Sequence, residues 1–111
     1  MVVADAIDTL TQLGCPGAKE PIATLRRHSS PYVRGSVLRY FARHHPKEAV
    51  PLLERALNSR EPMVRQNAVD ELDEMNYTPA VAKIKRLLAD PDEDVRQAAR
   101  TALEHLENPA R

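Results

Sequence analysis

No tryptophan and a single phenylalanine occur in this 111-residue chain, and three tyrosines complete its aromatic complement. Proteins that hold unpaired bases stack them on aromatic rings, so little surface of that kind is on offer. One cysteine, Cys15, excludes an internal disulfide framework and makes a reducing cytoplasm the default expectation. An excess of either charge is missing too: 16 Lys plus Arg balance 16 Asp plus Glu. That balance argues against a dedicated nucleic-acid or membrane-surface protein, since both need a strong positive field. No stretch approaches the ~18 or more apolar residues of a membrane span. The opening Met1-Val2-Val3-Ala4-Asp5 lacks the basic and apolar segments of a signal peptide. Glycine is scarce at three, whereas proline reaches nine, a balance that predicts short, stiff helix starts rather than flexible linkers.

What the chain does have is a beat. Val33-Arg34, Val64-Arg65 and Val95-Arg96 recur every 31 residues. A period in this range marks stacked copies of one supersecondary unit that cannot bury its apolar face alone. Aligned on it, Val37, Ala68 and Ala99 share a column, as do Phe41, Leu72 and Leu103, then His44, Met75 and Leu106. Offsets of 4, 8 and 11 from the valine make one helical stripe. A second stripe pairs Val50 with Val81, Leu53 with Ile84, Ala56 with Leu87 and Leu57 with Leu88. Projected backward, the register places Val2, Ala6, Ile7 and Leu10 on the first stripe and Ile22 and Leu25 on the second. Lys19 and Arg26 then occupy columns that are apolar later, as suits an end unit facing water.

Ser30, Glu61 and Asp92 precede helix starts, with Pro31 and Pro62 at the first helical position. Ser and Asp there can accept the free N–H groups of the first turn, and proline has none to satisfy. The pattern predicts an all-α superhelix of about seven antiparallel helices, near 2–13, 18–28, 31–44, 48–58, 62–75, 79–89 and 92–106. They make one domain over 1–111, with units at about 1–28, 29–59, 60–90 and a partial 91–111. The seventh helix is then either a cap or the edge of a longer array, and an uncovered terminal face could drive self-association.

Runs such as Pro31-Tyr32-Val33-Arg34 and Asp90-Pro91-Asp92-Glu93-Asp94-Val95-Arg96-Gln97-Ala98-Ala99-Arg100-Thr101-Ala102-Leu103 resemble HEAT-like repeats. Because common HEAT units run about 40–47 residues, the resemblance is to the short, phycobilisome-lyase-type variety. It is loose before residue 29 and close afterward, and it implies an α-α superhelix whose second helices line the concave face. Tetratricopeptide and ankyrin signatures are absent. The resemblance also reaches an enzyme, deoxyhypusine hydroxylase, which sets His-Glu pairs directly after the Val-Arg step to hold iron. Those positions here are Gly35-Ser36, Gln66-Asn67 and Gln97-Ala98, which argues against that chemistry.

The most regular polar column is Arg34, Arg65 and Arg96. It reads either as an arginine ladder for a phosphate or carboxylate partner or, as favoured here, as a structural ladder stitching the units together. Residues 1–47 sum to +4 and 48–111 to −4, and no Asp or Glu lies between Pro21 and Lys47. This basic 21–47 region could dock an acidic partner or nucleic acid, or Arg39 and Arg43 could pair with Asp70 and Glu74 of the next unit. Binding is expected on the second helices. There the resemblance implies Arg27, Pro51, Leu52, Arg55, Asn58, Lys83 and Arg86, with Leu52 an exposed apolar contact among basic neighbours that suit an acidic and apolar protein epitope. His44 and His45 adjoin without the further ligands that a metal needs, and Cys15 lacks a partner at triad spacing. No catalytic residue, metal or cofactor is expected. The preferred function is a non-enzymatic scaffold, with a lyase-like or chaperone role in chromophore attachment as the alternative.

Overall fold

The computed structural model describes residues 2–107. Seven α-helices run through them: α1 (Val2–Leu13), α2 (Lys19–Ala23), α3 (Pro31–His44), α4 (Pro46–Ala56), α5 (Pro62–Glu74), α6 (Val81–Arg86) and α7 (Glu93–Glu107). Single 3₁₀ turns, Pro16–Ala18, Thr78–Ala80 and Leu87–Ala89, flank the two short members α2 and α6. No strand occurs among the described residues. The long helices α1, α3, α5 and α7 pack side by side in chain order, and α4 lies over the seam between α3 and α5. The α6 segment rests on α7. This is the all-α helical-repeat architecture that the 31-residue period predicts.

Some boundaries differ, for identifiable reasons. Pro46 supplies the first position of α4, two residues ahead of the expected start. The helix expected over 18–28 is α-helical only for Lys19–Ala23. Beyond it the chain closes i→i−3 bonds, Leu25 to Ile22 at 2.9 Å and His28 to Leu25 at 3.0 Å. Ile22 is the one fully buried side chain there, too little apolar face to hold a longer helix. Two of the expected caps do not act as caps. Ser30 and Glu61 make no side-chain bond to their helices, whereas Asp92 Oδ1 accepts the Val95 N–H at 3.1 Å.

The work passes to a column two residues earlier. His28 Nδ1, Ser59 Oγ and Asp90 Oδ1 each accept the N–H two residues on, from Ser30, Glu61 and Asp92, at 3.0, 3.2 and 2.9 Å. Helix ends repeat as well. Gly14 (φ 70°) and Asn76 (φ 54°) adopt the left-handed conformation that closes α1 and α5. The following amides, Cys15 and Tyr77, reach back to Leu10 and Leu72 at 3.2 and 3.0 Å, the Schellman pattern.

The aligned columns form the core. Val33, Val64 and Val95 are buried, as are Val37, Ala68 and Ala99. At the first unit the expected stripe is rotated: Val2 is 84 % exposed and Ala6 lies outside, while Ala4, Ile7 and Thr11 are buried. α1 packs chiefly on α3 and turns Ala4 and Thr11 inward beside Ile7. His44 does not join the apolar stripe either, because its Nε2 hydrogen-bonds the Thr11 carbonyl at 3.0 Å. His45 Nε2 likewise meets the Pro16 carbonyl at 3.1 Å, and Tyr40 donates its hydroxyl to the Cys15 carbonyl at 2.5 Å. These three side chains of α3 and its end pin the turn after α1.

Candidate functional site

Each ladder arginine begins with the same backbone task. Nη1 of Arg34, Arg65 and Arg96 donates to the carbonyl six residues earlier, of His28, Ser59 and Asp90, at 2.6, 2.8 and 2.7 Å. Arg34 and Arg65 add a second bond, to the Ser29 and Arg60 carbonyls at 3.0 and 3.1 Å. Helices α3, α5 and α7 are thereby each tied to the loop that leads into them. Beyond that the three diverge. Arg65 also grips the Asp90 carboxylate from both sides, Nε to Oδ2 at 2.8 Å and Nη2 to Oδ1 at 2.9 Å. Hydrogen bonding to Arg65 holds the Asp90 carboxyl below its ordinary range, against burial, which acts the other way. A buried, two-point pair of this kind fixes geometry more than it adds stability. The position equivalent to Asp90 one unit earlier is Ser59, so Arg34 has no such carboxylate.

Arg34 instead lines an open groove of about 210 Å³ where the loop before α3 meets α4. Val37, Leu38, Leu52 and Val64 supply apolar surface to its lining. Arg26, Arg27, Arg34 and Arg55 are its charged members, and no carboxylate of the described residues lines it. Among the described residues, Arg26 and Arg55 hydrogen-bond backbone carbonyls of their own turns, Ala23 at 3.2 Å and Pro51 at 3.5 Å.

Of the residues that the sequence points to, the structure gathers Arg27, Leu52 and Arg55 here, and adds Arg34 from the ladder. Leu52 is half-buried rather than exposed, because it packs against the core from the groove. Pro51 and Asn58 are exposed on and just after α4, outside the groove lining. Lys83 is paired with Glu54 at 2.8 Å across α4 and α6, and Arg86 is exposed on α6 away from the groove. Arg26, Leu38 and Ser59 also belong to the groove. Arg26 and Ser59 depart from the repeat, since the residues equivalent to them one unit on are Leu57 and Asp90, whereas Leu38 keeps an apolar match in Val69 and nothing in the repeat marks it.

The opposite surface, across the long helices, is electrically mixed. Arg39 pairs with Asp8 of the preceding unit at 3.0 Å, rather than with Asp70 of the next as the columns also allowed. That cleft, about 330 Å³, contains Asp5, Asp8 and Arg39 together. A second of similar size sets Arg43 beside Glu71 and Glu74. Charges of both signs already answer one another on this side. No group of three or more His, Cys, Asp or Glu among the described residues is placed to hold a metal ion. No helix among them is long and apolar enough to cross a membrane.

Ladder, layer and period together define an α-helical repeat protein. The family model for HEAT repeats matches residues 18–104, and the chain belongs to the HEAT repeat family. HEAT repeats are generally protein-interaction scaffolds and typically non-enzymatic. The phycobilisome-lyase subtype rests on the resemblance of residues alone. No curated protein matches the chain.

Proposed function

We propose that this chain is a non-enzymatic interaction module whose partner is another protein, bound through the groove at α4. One observation carries the reading: among the described residues, four arginines and no carboxylate border an apolar floor. Apolar contact supplies affinity in such a site, and the charges select the partner and speed its approach. A partner segment with acidic residues beside an apolar one meets both demands. Nucleic acid is less well served, because the basic residues of 21–47 do not form one track. Arg26, Arg27 and Arg34 lie at the groove, while Arg39 and Arg43 lie across the molecule among Asp8, Glu71 and Glu74.

Selection from a displayed random-peptide library tests the reading. Enriched peptides are expected to carry Asp or Glu next to a large apolar residue. The double variant Arg27→Glu, Arg55→Glu is expected to bind them at least about tenfold more weakly. Enrichment without acidic residues, or undiminished binding by the double variant, contradicts the proposal.

A further inference from the structure

The loop corner that leads into a long helix occurs in successive copies, and two of them differ by one functional group. At the corner before α7, Asp90 does two things. Its Oδ1 accepts the Asp92 N–H, and its two oxygens together accept Nε and Nη2 of Arg65. At the corner before α5, Ser59 does only the first, with Oγ on the Glu61 N–H. A hydroxyl has neither the second oxygen nor the charge to take a guanidinium edge. Arg34 is held through Nη1 by the His28 and Ser29 carbonyls, so Nε and Nη2 make no hydrogen bond with the described residues. Both Arg34 and Ser59 line the arginine-bordered groove, together with Leu38 and Leu52.

We propose that the groove takes the side-chain carboxylate of a Glu or Asp from a partner protein. It seats two-pointed on Nε and Nη2 of Arg34 beside Ser59, as Asp90 seats on Arg65. The adjoining apolar side chain of the partner rests on Leu38 and Leu52. The molecule thus displays in one unit, with its own Asp90, the contact that it leaves for a partner in the unit before. A planar carboxylate matches the guanidinium edge in both spacing and charge, whereas a lysine at position 34 could offer only a single point. Arg26, Arg27 and Arg55 add attraction for the flanking acidic residues without fixing geometry. This inference rests on the protein-binding reading above and adds the docking point and the chemical group.

The test uses an end-blocked, fluorescein-labelled peptide with a central leucine–glutamate pair, and the intact chain. Wild-type protein is expected to bind it and to shift the Arg34 Nε–Hε resonance. Replacing the peptide's glutamate by glutamine should weaken binding about tenfold or more. Ser59→Asp, which installs an internal carboxylate where the peptide's would sit, should move the same resonance without peptide, raise the melting temperature and weaken peptide binding to a similar degree. Ser59→Asn should leave all three near wild type. A Ser59→Asp variant that binds the peptide normally, or an Arg34 resonance unmoved by peptide, overturns the docking point. So does tighter binding of a phosphoserine peptide, or of one whose only carboxylate is its C-terminus. If Arg27→Glu, Arg55→Glu loses the peptide while Ser59→Asp keeps it, the docking point fails and the protein-binding surface stands. If no acidic peptide binds wild type, both fall.

Discussion

Glu71 sits in the column occupied by Tyr40 one unit earlier and by Ala102 one unit later. Tyr40 there finds a carbonyl for its hydroxyl, and alanine asks for nothing. Glu71 is only 5 % exposed, and its buried Oε1 has no hydrogen-bond partner among the described residues. Burial pushes its carboxyl up from the ordinary 4.5, against the opposing fields of Arg43 and Arg39 and with help from Asp70 and Glu74. The folded chain therefore keeps this proton at a pH where the unfolded chain has released it. Stability attached to Glu71 falls as pH rises from about 4.5 through the folded value, and stays lower above it. Glu71→Gln is expected to stabilise the chain at pH 7 by roughly 1 kcal/mol, with the gain shrinking below about pH 4.5. Urea melts at pH 4 and pH 7 check this, and an equal gain at both contradicts it. The residue scale is also where sequence reading was strongest and weakest. Arg34, Arg65 and Arg96 stand out because they repeat. The contrast between Ser59 and Asp90 is equally present in the letters but acquires meaning only when Arg65 is seen to reach 25 residues forward.

Among the elements, the second helices diverge most from a uniform repeat. Leu57 and Leu88 share a column, yet Leu57 is 3 % exposed and Leu88 41 %. Leu57 follows the end of an 11-residue α-helix that lies over the seam between α3 and α5. Leu88 lies in the 3₁₀ turn after the six-residue α6, where tighter winding rotates it outward and leaves Leu87 packed on the core. Periodicity predicts that a second helix exists at each site. It cannot tell how many of its turns stay α-helical, because that depends on what each turn finds to pack against. Leu57→Ala is expected to cost about 2–4 kcal/mol, and Leu88→Ala less than about 1 kcal/mol. Chemical denaturation of the two variants separates them, and equal losses would mean that the column, not the local winding, governs burial. The same reasoning explains Leu52, which faces the groove because Leu53, one step around α4, is fully buried.

At the scale of the whole molecule, two surfaces emerge from one repeat. Long helices meet side by side, and polar contacts join their exposed row between units: Arg39 pairs with Asp8, and His105 Nδ1 hydrogen-bonds the Asp73 carboxylate at 3.1 Å. The opposite side carries the α4 segment and the arginine-bordered groove. A chain of zero net charge can thus hold a local positive site, because thirteen of its sixteen acidic residues lie after position 47 and leave the first 47 positions with a net charge of +4. That asymmetry was legible from the letters. The division of the basic residues between two faces was not, since it depends on which way each arginine turns from its helix. On the proposed function, the groove, and not the mixed-charge face, meets the partner. Chemical-shift mapping on the isotope-labelled chain with the leucine–glutamate peptide tests it most directly. The largest changes are expected on Leu38, Leu52 and Ser59, with Asp8 and Glu74 unmoved. Changes confined to the face of Asp8, Arg39 and Glu74 would contradict it.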